Sequence, residues 1–64
     1  QTAGLKSGLT PREREIALFV KEGFQTSEIA SRLFISENTV KSTRKVIYGK
    51  LGIHSRMELT KIDF

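Results

Sequence analysis

Apolar positions recur along this chain at the three-to-four-residue spacing of amphipathic helices. The pattern is richest between Ser36 and Gly52. At 3.6 residues per turn, Val40, Ile47 and Leu51 fall on one side of that segment, with Thr43 and Arg44 flanking them. Asn38, Lys41, Ser42, Lys45 and Gly49 fall on the other. Ser36 is placed to cap the first turn, because its hydroxyl can accept from a backbone N–H that has no partner within the helix. Glu37 sits at the positive end of the helix dipole and Lys50 near the negative end. Gly52 is the expected left-handed stop. One face of this helix is built for burial. The other carries an amide, a hydroxyl and two ammonium groups.

Three further segments show the same grammar. Residues 10–22 open on Thr10-Pro11-Arg12-Glu13, a capping box with proline in the first turn, carry Ile16, Phe19 and Val20 with Ala17 beside them, and stop at Gly23. Residues 26–34 present Ile29, Ala30 and Leu33, with Ala30 small where two helices must come close. Phe34, Ile35 and Ser36 then lead into the long helix at 37–51, and two helices joined so tightly make a helix-turn-helix. Such turns often hold glycine, and Phe34 supplies none. Ser55 and Glu58 form a second capping box for a last helix at 56–63, whose apolar Met57, Leu59 and Ile62 are candidates for a dimer interface. The predicted fold is all-α: a four-helix, bundle-like domain over residues 9–64, preceded by a linker at 1–8. Gly49 interrupts the long helix at a cost of roughly 1 kcal/mol relative to alanine. That cost predicts a neighbouring helix close by, a ligand backbone close by, or early fraying.

Composition narrows the chemistry. At 64 residues the chain is a single small domain, and a core of that size supplies only about 3–5 kcal/mol. There is no cysteine and one histidine, His54, so neither a disulfide nor a structural zinc site is available. His54 reads as an ordinary loop residue. Glu13 and Glu15 are two apart on a helix and point in different directions, so they do not make an acid–base pair. Glu13 is expected to cap and Glu15 to pair with a nearby arginine. No nucleophile–base arrangement or glycine-rich phosphate loop is present, so neither enzymatic activity nor a cofactor is expected. The only aspartate is Asp63, which excludes a phospho-accepting receiver in this segment. No apolar run is long enough to span a membrane, and a cytoplasmic location is expected. The chain begins at Gln1 rather than methionine, and we expect a partner domain before it. The net charge is +4. Between Asn38 and Met57 there are five basic residues and no acidic one, which makes a surface suited to an anionic partner.

The run LTPREREIALFVKEGFQTSEIASRLFISENTVKSTRKVIYGKLGIHSRMEL resembles the LuxR-type (GerE-like) helix-turn-helix domain of bacterial transcription regulators, over Leu9 to about Ile62. The resemblance rests on "LTPRERE", "EG" at the end of the first helix, "EIA", "LFISENTVK" and "KLGIHSR" at fixed spacings. It implies the output domain of a regulator, such as a response regulator, that binds double-stranded DNA with the third helix in the major groove. By the same resemblance, Lys41, Ser42 and Lys45 read bases, and Thr26, Ser27, Asn38, Thr39 and Thr43 hold the phosphate backbone. Arg44 and Lys50 would add attraction to the phosphates. The fourth helix would pair two copies on two half-sites, and RNA polymerase is a further expected partner. The chain departs from the family pattern at Ala17, Ser27, Thr43 and Gly49, and its fourth helix is short. Two other readings share parts of the pattern: region 4 of a sigma factor, and a helical protein-interaction module with a basic face.

Overall fold

The computed structural model describes residues 8–62. Four helices follow one another: α1 (Pro11–Lys21), α2 (Thr26–Leu33), α3 (Glu37–Leu51) and α4 (Arg56–Leu59). No strand occurs among the described residues. The expected linker at 1–8 lies outside them except for Gly8, as does residue 63, the expected end of the last helix. α4 is shorter than expected, a single turn that gives way to a further turn at Thr60 and Lys61.

Each helix begins on a local hydrogen bond. At α1 the Thr10 N–H donates to Glu13 Oε1 at 2.9 Å and the Glu13 N–H donates to Thr10 Oγ1 at 3.2 Å, closing the predicted box. At α2 the Gln25 N–H donates to Glu28 Oε1 at 2.8 Å. At α3 the Thr39 N–H donates to Ser36 Oγ at 3.1 Å. At α4 the Glu58 N–H donates to Ser55 Oγ at 3.4 Å, but the Glu58 carboxylate accepts from the His54 N–H at 3.3 Å. The return half of the second predicted box is therefore displaced by one residue.

The first three helices end by one device. A left-handed residue follows the last turn, and the next N–H reaches back to a carbonyl five residues earlier. The left-handed residues are Gly23, Phe34 and Gly52. The reaching bonds run from the Phe24 N–H to the Phe19 oxygen (3.0 Å), from Ile35 to Ala30 (3.0 Å) and from Ile53 to Tyr48 (2.9 Å). The apolar side chain after each stop turns back onto the core. After α1 it also makes an edge-to-face contact, with the Phe19 and Phe24 rings 5.1 Å apart. Phe34 thus does the work expected of a glycine in the helix-turn-helix, at φ 58°.

α1 is the hub. It packs against α3 and α4 and more lightly against α2, while α2 packs against α3. Its Ile16, Ala17 and Val20 are buried against Ile29 and Ala30 of α2 and Val40 and Ile47 of α3. Leu9 and Ile53, both outside helices, complete the core together with Leu59. Leu59, expected at a dimer interface, is fully buried within the single chain, where its side chain closes the domain's own core over α1. Ile62 also packs partly against the core, and of the three residues predicted for that interface only Met57 is exposed. No polar side chain is buried among the described residues, so apolar burial is what holds the domain together.

Candidate nucleic-acid interface

α3 is packed on two flanks and bare on a third. Its buried side, Val40 and Ile47, faces α1 and α2. Arg44 leans over α2, where its guanidinium Nη1 donates to Thr26 Oγ1 at 3.4 Å. Lys50 leaves the helix about half a turn round from Lys41. Its Nζ lies 2.8 Å from Glu13 Oε1 on α1. The Lys50 ammonium and the Thr10 N–H, both donating to the Glu13 carboxylate, hold it below the usual carboxylate range. Lys50, an expected phosphate-side residue, thus pairs with α1 and lies away from the bare face, with its side chain still partly exposed.

That bare face carries Asn38, Lys41, Ser42, Lys45 and Gly49, all exposed. It is the set that helical periodicity placed there. Lys41, Ser42, Arg44, Lys45 and Tyr48 line an open groove of about 340 Å³ along it. Tyr48 was not singled out from the sequence. Its spacing, three residues beyond Lys45 and seven beyond Lys41, would have found it. The Tyr48 hydroxyl makes no hydrogen bond among the described residues. At the start of α3 the Thr39 hydroxyl lies 2.9 Å from Ser36 Oγ, and both belong to the cap. The first-turn N–H groups of Glu37 and Asn38 have no acceptor within the helix by its geometry, so this end of α3 favours an anion.

The remaining predicted residues lie beside this face. Thr26 is half-buried under Arg44, Ser27 is exposed on α2, and Thr43 is half-buried along the flank of α3. Ser27, Glu28, Ser31 and Arg32 line a second, shallower depression of about 370 Å³. Within it the Glu28 carboxylate already serves the start of α2, and the Arg32 guanidinium sits 4.6 Å from the centre of the Phe24 ring. Among the described residues, no group of histidine and carboxylate side chains could hold a metal ion. No helix there is long and apolar enough to cross a membrane.

A helix-turn-helix whose second helix bears an exposed basic face defines a nucleic-acid-binding module. Comparison with known proteins identifies which kind. The family described as bacterial regulatory proteins of the luxR family matches residues 7–62. This chain belongs to that family, as a DNA-binding helix-turn-helix domain. That membership decides between the LuxR reading and the sigma-factor reading. Over 51 residues the chain is 45% identical to Mb0914c of Mycobacterium bovis, named as an HTH-type transcriptional regulator, covering 80% of this chain and 6% of that protein. It is 49% identical over 51 residues to an Aeromonas salmonicida protein named as an HTH-type regulator in the exeN 3′ region, covering 80% of this chain and 26% of that one. It is 43% identical over 56 residues to the Fimbriae Z protein of Escherichia coli K12, covering 88% of this chain and 26% of that one. The chain therefore spans about a quarter or less of the length of these relatives. No solved structure gives a significant match.

Proposed function

We propose that this domain reads double-stranded DNA in a sequence-specific way, with α3 in the major groove, as the output domain of a larger bacterial regulator. The observation that carries the reading is the bare face of α3, where Asn38, Lys41, Ser42 and Lys45 stand exposed with no carboxylate among them. Lysine ammonium groups donate to guanine O6 and N7, and the Ser42 hydroxyl donates or accepts. Asn38 and Thr39, with the free N–H groups of the first turn, meet one phosphate strand. Arg44, Thr26, Thr43 and Ser27 lie along the flank that faces the phosphates next to α2. Two copies acting through the exposed Met57 side of α4 set the half-site spacing, and contact with RNA polymerase belongs to the assembled regulator.

The test is fluorescence anisotropy on a duplex selected from a randomised pool, titrated with salt. Binding is expected to weaken steeply as salt rises, because each neutralised phosphate releases counterions. Lys41→Ala and Lys45→Ala should each cost about 1–3 kcal/mol on the selected site and relax base preference at the position contacted. If both variants bind the selected duplex like the parent, α3 does not read bases through this face. A flat salt dependence would favour a protein partner for the basic face instead.

A further inference from the structure

Tyr48 is tied to the domain at one end and free at the other. Its side chain packs against the core and also lines the groove with Lys41, Ser42, Arg44 and Lys45. The hydroxyl makes no hydrogen bond among the described residues. It is open to solvent, since no unpartnered side-chain nitrogen or oxygen is sealed inside that part of the chain. Its neighbour one turn back on the helix is Arg44. That guanidinium makes one long hydrogen bond among the described residues, to Thr26 Oγ1 at 3.4 Å, so most of its N–H groups have no acceptor. The two side chains therefore hold unused donors on one flank of α3. Glu37, the acidic residue of α3, lies about two turns before Arg44.

We propose that Tyr48 contacts DNA directly: its hydroxyl and the Arg44 guanidinium clasp one phosphate of the strand that runs beside α2. The inference rests on the DNA-reading assignment above and adds to it a residue without charge. A phosphate suits this pair better than a base edge does. Its oxygens accept from several donors at once, and both side chains have donors to give. A base edge mixes donors with acceptors, and a guanidinium cannot accept. Helical geometry also turns the pair away from the base-reading direction. Tyr48 is displaced about 60° around α3 from Lys45, and Arg44 about 100°. With the lysines directed at base edges, Arg44 and Tyr48 are directed at the sugar–phosphate wall of the groove. The packed ring matters here. It fixes the hydroxyl before DNA arrives, so the contact loses less side-chain freedom than a solvated lysine would.

Tyr48→Phe keeps the ring and removes only the hydroxyl. That hydroxyl has no partner inside the described domain, so the variant should melt with the parent. It should bind the selected duplex about tenfold more weakly, the lower end for a hydrogen bond to a charged acceptor. Its salt slope should match the parent's, because no charge is lost. Duplexes carrying one uncharged methylphosphonate, moved a linkage at a time, locate the contact. At one linkage the replacement should cost Tyr48→Phe less than it costs the parent, and Arg44→Met should show its smaller loss at that same linkage. Parental affinity for Tyr48→Phe would overturn the proposal. So would a loss that couples to no linkage, which would make the contact one to a base, or coupling of Arg44 and Tyr48 to different linkages. Lys45→Ala is the control for the underlying reading: it should weaken binding and also flatten the salt slope. If Lys45→Ala changes nothing, the DNA assignment of this face fails and the Tyr48 contact fails with it. If Lys45→Ala weakens binding and Tyr48→Phe does not, the Tyr48 contact alone fails.

Discussion

Phe34 stands at φ 58° and ψ 45° with its side chain 94% exposed. A β-carbon in the left-handed region crowds the following carbonyl, at a cost of about 1–2 kcal/mol. The ring cannot offset that cost, because solvent surrounds it. The backbone bonds that require the conformation, the Phe34 and Ile35 N–H groups both donating to the Ala30 oxygen, would be kept by glycine. Phe34→Gly is therefore expected to raise the free energy of unfolding by about 1 kcal/mol, less a share for the greater freedom of glycine in the unfolded chain. Urea denaturation with an unchanged slope would show it. Lowered stability would mean that the ring has a folded-state contact beyond those described. The sequence shows that the turn lacks a glycine, but not that phenylalanine takes the glycine's conformation. No local signal distinguishes a left-handed phenylalanine from an extended one; the helix packing that requires the sharp turn decides it.

Among the helices, α3 was the most legible, since the direction of each side chain follows from helical geometry alone. Val40 and Ile47 are buried, Asn38, Lys41, Ser42 and Lys45 are exposed, and the caps at Ser36 and Gly52 fall where their residue types put them. α4 was the least legible. Its single turn defines no stripe, so nothing in the sequence separates Leu59, which is buried, from Met57, which is exposed. Leu9 and Ile53 were missed as core residues for a related reason: they lie outside helices, and periodicity says nothing about chain that folds back over a core. The caps give a test at this scale. Ser36 Oγ accepts the Thr39 N–H at 3.1 Å and also engages the Thr39 hydroxyl at 2.9 Å. Ser36→Ala should cost about 1 kcal/mol of stability. Ser55→Ala removes a longer bond of 3.4 Å at the head of a four-residue helix and should cost less. The ratio of the two losses, read from thermal melts, reports whether the helix carrying the basic face is the better anchored. Equal losses would contradict it.

Over the whole molecule, the basic groups of α3 divide between holding the fold and facing outward. Lys50 ties the end of α3 to the start of α1 through Glu13, and its partner lies 37 residues away in sequence, which is why no local pattern reveals it. Lys45 stands exposed on the groove side. Lys50→Met should cost about 0.5 kcal/mol of stability, the scale of a partly exposed ion pair, while leaving duplex affinity and its salt slope close to the parent's. Lys45→Ala should do the reverse, weakening binding with little change in stability. The pH dependence separates the two further. The Glu13 carboxyl is held low in the folded chain, chiefly by Lys50 and then by the Thr10 N–H. Its ionised form therefore favours folding: the stabilisation is complete above the unfolded carboxylate range and is lost as pH falls through the lower folded value. Removing Lys50 moves the folded value back toward the unfolded one and shrinks that loss. Stability measured by urea across the acid range should thus fall less steeply for Lys50→Met than for the parent, and carboxyl NMR should show Glu13 titrating at higher pH in the variant. Parallel acid profiles, or a Lys50→Met domain that folds normally but binds duplex as poorly as Lys45→Ala, would place Lys50 on the DNA side and undo the division.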